Sequence, residues 1–190
     1  IFKDLVGKRV IPEHMSFIDD PTLAVFQGTP VSGHYLFDEE GVPAQRVTLV
    51  DHGILKNFLM SRWPVKGFPN SNGHGRADAY RHPTGRMGTI IVVGHRPVSP
   101  AALERRLREL CKAKGKPYGF LLVGSFGGEN PNLRRAAQTF EVSPRLIYRV
   151  DAATGARTRV RGVKMAGTPL VLLDRIVAAG DDSRLTNEFV

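Results

Sequence analysis

Between Arg46 and Met60 the apolar residues fall into two short arms. Val47 and Leu49 lie on one, Ile54, Phe58 and Met60 on the other, around the centre Asp51-His52-Gly53. Glycine takes the left-handed backbone that tight turns demand, so this pattern predicts a β-hairpin. A strong local hairpin commits its surroundings to antiparallel sheet. The stretch after the hairpin is unusual: Arg62 to His82 is loop-rich, with Pro64, Gly67, Pro69, Gly73 and Gly75. A connection of about twenty residues without evident structure is functional or mobile more often than not. Its densest part is Ser71-Asn72-Gly73-His74-Gly75-Arg76, a polar loop with two glycines around a histidine. Such a loop reads either as a contact surface or as a tight connection without a ligand.

The flanking segments extend the β reading. Residues 1–12 look like the end of a helix broken at Gly7, then an extended piece stopped by Pro12. Ser16 to Asp19 and His34 to Phe37 read as short strands, and Thr89 to Val93 as a buried one. Ser99-Pro100 starts a helix, Ser as cap and Pro first inside it, with Leu103, Leu107 and Leu110 at helical spacing and Gly115 as its stop. Glu104 with Arg108 and Arg105 with Glu109 are spaced as i,i+4 pairs. Gly119 to Phe126, Phe140 to Val142, Leu146 to Val150 and Arg157 to Val163 are further strands, the last two read as a hairpin through Asp151 to Ala156 with Gly155. Thr168-Pro169 begins a last helix, with Leu170, Leu173, Ile176 and Val177 toward the core. The order argues an α+β fold, mainly antiparallel β-sheet, open or barrel-like, with two or three packed helices in a single domain over residues 1–190.

Composition narrows the function. No run approaches the roughly 18 apolar residues of a membrane span, and no signal peptide is visible. The chain opens Ile1-Phe2-Lys3 and stops at Val190, which reads as a piece of a longer protein. The lone Cys111, inside the first helix, excludes an internal disulfide framework and reads as a structural thiol. A net charge of +9 raises nucleic acid as a partner, but the charge looks dispersed, densest at Arg157, Arg159, Arg161 and Lys164. Neither an RNA-binding aromatic signature nor a zinc-finger spacing accompanies it.

No histidine pair stands at the i,i+4 spacing of a helical zinc site, so His74 and His82 could converge on a metal only through folding. Asp19-Asp20 and Asp38-Glu39-Glu40 lie beside turns, where solvated carboxylates are commoner than acid–base pairs. No GxSxG elbow or phosphate-binding glycine loop is present. An exposed sheet edge beside the glycine loop could accept an extended peptide as an added strand.

Taken together, several short motifs resemble the carboxy-terminal region of the TldD/PmbA family of zinc metallopeptidases, also named modulators of DNA gyrase. They are Ile18 to Leu23, Phe37 to Pro43, Leu49 to Leu59, Ser71 to Arg76, Arg161-Gly162-Val163, Gly167 to Leu170 and Gly180-Asp181-Asp182, in the family's order. The resemblance implies a cytoplasmic zinc-dependent peptidase acting on peptides or unfolded segments. It further implies homodimers or heterodimers with a related subunit. The family's HExxxH motif is expected before Ile1 and a cysteine ligand after Val190, and Cys111 does not match that cysteine. No catalytic or metal-binding residue is therefore assigned in this chain, and the zinc is expected only in the complete protein. The residues expected to bind substrate are Asn72, Gly73, His74, Gly75 and Arg76. Arg76 is expected to hold a carboxylate, either of the substrate or of the Asp38-Glu39-Glu40 turn. Two other readings stand beside this one: a non-catalytic scaffold subunit, and a basic DNA- or gyrase-associated module. No specific nucleic acid and no membrane are expected as partners.

Overall fold

A computed structural model describes residues 2–77, 80–129 and 140–187. The chain folds into two compact units, Ile1–Arg96 with Ser183–Val190, and Pro97–Asp182. Among the described residues the strands pair antiparallel and two helices form, the α+β class expected, in open sheets without a closed barrel.

The first unit contains β1 (Met15–Asp19), β2 (Val25–Phe26), β3 (Thr29–Pro30), β4 (Val47–Asp51), β5 (Ile54–Leu55), β6 (Gly75–Arg76), β7 (Thr84–Gly85) and β8 (Ile90–Gly94). The main sheet runs β5-β4-β1-β8, while β2-β3 and β6-β7 are separate two-stranded ribbons. The expected hairpin joins β4 to β5 through His52 (φ 44°) and Gly53 (φ 83°). Two left-handed residues in a row match the right-handed twist of the strands they join. Met15, Ile18, Val47, Val50 and Leu55 bury their side chains along this sheet beside Val10, Ile11 and Met60. Each such side chain contributes about 1.5–3 kcal/mol by leaving water.

Three local expectations fail for physical reasons. The opening segment forms turns, not a helix, because its amides bond the hairpin: Gly7 N–H donates to Leu55 O and Val10 N–H to Gly53 O. His34 to Phe37 forms no strand beyond one bridge from Phe37 to Pro43. Just downstream, the Asp38 carboxylate captures the amides of Glu40 and Val42, an alternative to a sheet ladder. The β-branched run at residues 89–93 is an edge strand with Ile90 and Val92 facing out, not a buried one.

The second unit contains α1 (Pro100–Ala113), β9 (Tyr118–Glu129), β10 (Phe140–Asp151), β11 (Arg157–Val160), β12 (Met165–Gly167) and α2 (Pro169–Asp174). Ser99 caps α1, its Oγ accepting from Ala102 N–H at 3.3 Å, and Cys111 is buried as expected. The expected Glu104–Arg108 pairing gives way to tertiary partners. Glu104 takes Arg157 of β11, and Arg108 reaches the carbonyls of Ala152 and Ala153, tying the helix to the β10–β11 hairpin. Strand β10 runs unbroken where two strands were expected. It bends at a register shift between Val142 and Pro144, a residue with no N–H to give the ladder. Beyond β11, Gly162 (φ 72°) turns the chain, so that strand is shorter than the Arg157–Val163 expected. Helix α2 is only six residues long. The Thr168 hydroxyl makes no cap bond, and Val177 lies beyond the helix, exposed.

Candidate functional site

The Ser71–Arg76 loop is held from behind by groups of three other segments. Asn72 clamps it to the end of the hairpin arm: its Oδ1 accepts from Met60 N–H at 2.8 Å and its Nδ2 donates to Phe58 O at 2.9 Å. Ser71 Oγ donates to Met60 O at 3.1 Å. Gly73 (φ 74°) passes so close to the chain before β4 that a methyl there would sit 2.2 Å from Pro43 O. Its own carbonyl accepts from the Tyr35 hydroxyl at 2.9 Å.

His74 lies at the centre with no exposed surface. Its Nδ1 donates to Asn72 O at 2.9 Å, while Nε2 stands 3.3 Å from Oδ1 of Asp19, equally buried at the end of β1. That approach is an ion-pair distance without an aligned hydrogen bond. Asp19 also accepts from Gly88 N–H at 3.0 Å and Thr89 N–H at 2.9 Å. One carboxylate therefore joins β1, the loop and the start of β8.

A second buried carboxylate works beside it. Asp38 Oδ1 accepts from Glu40 and Val42 N–H, and its Oδ2 from Gly75 N–H at 2.8 Å. Glu39 N–H returns a bond to Gly75 O at 3.0 Å. Arg76 is the loop's one charged end. Its Nε donates to Glu39 Oε1 at 2.8 Å, and its guanidinium lies 4.6 Å from the Tyr35 ring centroid. Burial works against the Arg76 charge, but the Glu39 bond and charge, with Tyr35, outweigh it and hold its pKa above the usual value. The Tyr35 phenol is pushed up to about 12, first by burial and further by the Asp19 and Asp38 charges, against the lowering effect of Arg76.

Of the expected contact residues, Gly73, His74 and Gly75 are thus buried, Asn72 is half-buried with its amide engaged, and Arg76 keeps about a third of its side chain exposed. Of the two carboxylates weighed for Arg76, the structure places Glu39 against it. His82, by contrast, is at the surface. Asp19 and Asp38 are interior anchors and not the solvated turn residues that their neighbourhoods suggest. Asp38 carried a usable signal, the Asp-x-x-Gly spacing to Gly41 of a side-chain-closed turn. Asp19 carried none, since its partners are about 55 and 70 residues away along the chain. Around this rigid base, Leu36, Phe37 and Trp63 stand exposed on segments bonded to the loop.

Among the described residues no three His, Cys, Asp or Glu groups stand together so as to hold a metal ion, and no helix is long and apolar enough to cross a membrane. The described residues therefore offer no zinc site.

Comparison with known proteins gives this architecture its relatives. A sequence profile of the PmbA/TldA metallopeptidase C-terminal domain matches residues 1–190. A metalloprotease of Archaeoglobus fulgidus is 31% identical over 177 residues, covering 93% of this chain and 37% of that protein. A zinc metalloprotease TldD homolog of Saccharolobus solfataricus is 26% identical over 187 residues, covering 97% of this chain and 38% of that protein. The crystal structure of TldE from Thermococcus kodakarensis shares the fold, with a TM-score of 0.65 at 18% identity, over 94% of this chain and 37% of that one. The chain spans a little over a third of the length of these relatives.

Proposed function

The chain belongs to the TldD/PmbA metallopeptidase family, and from that premise we propose that it forms the substrate-cradling part of a zinc-dependent peptidase acting on peptides or unfolded segments. The zinc and its ligands belong, in this reading, to the complete protein outside these residues. The name of the Saccharolobus relative supports zinc in the family.

The observation that carries the reading is the way the Ser71–Arg76 loop is fixed. Two buried carboxylates, Asp19 and Asp38, hold its inner side, while Arg76, paired with the exposed Glu39, keeps about a third of its side chain in water, and Phe37 and Trp63 are exposed. A ledge fixed in this way can present backbone and one guanidinium to an extended peptide without first ordering itself, which lowers the entropy lost on binding. Arg76 would orient a substrate carboxylate by exchanging it for Glu39, a bidentate match for a guanidinium. His74 and Asn72 would set the loop's shape, their polar atoms being already engaged.

The complete protein would act in the cytoplasm as a homodimer or with a related subunit. The fold likeness to TldE supports a related subunit as partner. The test is peptide cleavage by the complete protein carrying Arg76→Gln. The reading expects cleavage to fall at least tenfold with the metal retained and the thermal midpoint little moved. Normal cleavage removes the loop from the substrate path. Loss of folding assigns it a structural role alone. Gly75→Ala is a poor substitute, since a methyl there would sit 2.4 Å from Glu40 Oε2 and disturb the anchor itself.

A further inference from the structure

The positive charge is not spread evenly. Residues 97–182 hold 15 of the 27 lysines and arginines and 8 of the 18 aspartates and glutamates, so the second unit carries +7 of the formal +9. Its sheet has one covered face and one open face. Helix α1 covers the side of Gly119, where a methyl would sit 2.7 Å from Leu107 Cδ1 and 3.0 Å from Cys111 Sγ. Alternation puts Tyr118, Phe120 and Leu122 on the opposite side, and they are 41%, 43% and 36% exposed. Phe120 lies opposite Arg149 in the β9–β10 register, so the two share that side; Leu122 lies opposite Ile147, which is buried, so the open part of the face is the end bearing Tyr118, Phe120 and Arg149. The Tyr118 and Phe120 rings meet edge to face at 5.4 Å, and the Arg149 guanidinium lies 5.5 Å from the Tyr118 centroid. Arg145 runs beside Gly124 on the same face, where a methyl would be 3.4 Å from its Cδ. The one acid opposite these rings, Asp151, turns its carboxylate to the amides of Ala153 and Thr154.

We propose that this face binds single-stranded nucleic acid without sequence preference, bases stacking on Tyr118 and Phe120 and phosphates meeting Arg145 and Arg149. Exposed aromatics beside arginines on a flat sheet are the combination that such binding needs, because every base offers a ring face and every nucleotide a phosphate. A duplex hides its ring faces, and none of these residues lies on an element shaped to enter a groove. An acidic polypeptide would answer the arginines but leave the two rings uncovered.

The probe is a fluorescein-labelled oligo(dT) of about 20 nucleotides, titrated with the 190-residue chain by anisotropy. Neutralising about two phosphates makes affinity fall roughly sevenfold between about 50 and 200 mM salt. Tyr118→Ala and Phe120→Ala should each weaken binding roughly fivefold to 100-fold, while Tyr118→Phe and Phe120→Tyr leave it nearly unchanged. Ultraviolet crosslinking of oligo(dT) to the unaltered chain, mapped by mass spectrometry, should land on Tyr118 or Phe120 whether or not the alanine variants fold. The proposal is overturned by any of four results. Crosslinks could fall only elsewhere, or folded alanine variants could bind unchanged. An acidic polypeptide of equal charge could compete as well as unlabelled oligonucleotide. Sedimentation could show Phe120→Ala dissociating a self-associated chain that binds no oligonucleotide.

Discussion

Asp19→Asn is the substitution that tests the loop's anchoring most directly. It keeps the shape of the side chain and removes its charge. Asp19 accepts the Gly88 and Thr89 amides and faces His74 Nε2, and the side chains of Asp19 and His74 are both out of contact with water. Asparagine has one acceptor oxygen and one donor NH2. If the oxygen takes the Oδ1 position, the NH2 opposes the Gly88 amide; if it takes the Oδ2 position, the NH2 opposes the Thr89 amide. Either rotamer leaves buried groups unsatisfied. A hydrogen bond to a charged acceptor contributes about 1.5–3 kcal/mol, and Asp19 accepts one on each oxygen. The two share one carboxylate and do not add fully, so the expected loss is about 3–5 kcal/mol. In a unit of this size each kcal/mol shifts the thermal midpoint by about 4–8 °C, which predicts a fall of roughly 12–40 °C in a calorimetric scan. A double-mutant cycle with His74→Gln should return a coupling of at least about 1 kcal/mol. A fall of less than about 5 °C, or additive single effects, would show that the loop does not hang on this pair.

Other outcomes rest on the same geometry. Tyr35 keeps its proton in the folded state up to about pH 12, whereas its ordinary value is 10.0. Its contribution to stability is therefore complete below about pH 10 and is lost as pH rises toward 12. Tyr35→Phe should delete the highest-pH step of the phenolate absorbance titration. Gly73→Ala should cost more than about 2 kcal/mol in urea unfolding, since a left-handed φ and a carbonyl at 2.2 Å act together. Gly41→Ala, also left-handed (φ 73°) but with nothing within 4 Å of the added methyl, should cost only about 1 kcal/mol. Ser99→Ala, which removes the cap of α1, should lower the unfolding free energy by about 1 kcal/mol.

Local chemistry made much of this fold legible. The β4–β5 turn, the Ser99 cap and the β10–β11 hairpin are each specified within a few adjacent residues, and each forms where the sequence places it. The failures share a different cause. The segment before β1 and the His34–Phe37 stretch have local patterns that distant hydrogen-bond partners override. Glu104 and Arg108 are spaced for a helix pair worth about 0.3–0.5 kcal/mol, and partners on β11 and the hairpin displace so small a preference.

The loop shows the same division in a single motif. Its glycines and its polarity mark Ser71–Arg76 as special, but they do not say which of its groups look inward. Asn72 and His74 are chemically the most versatile members, and folding commits their polar atoms to Phe58, Met60 and the loop's own backbone. Arg76 differs because its partner, Glu39, is itself more than two-fifths exposed. A pair at that depth is weak enough for an incoming carboxylate to exchange with, whereas the Asp19–His74 pair, sealed from water, is not. Depth of burial, which no motif encodes, therefore separates the residues that shape this loop from the one that stays partly open to solvent.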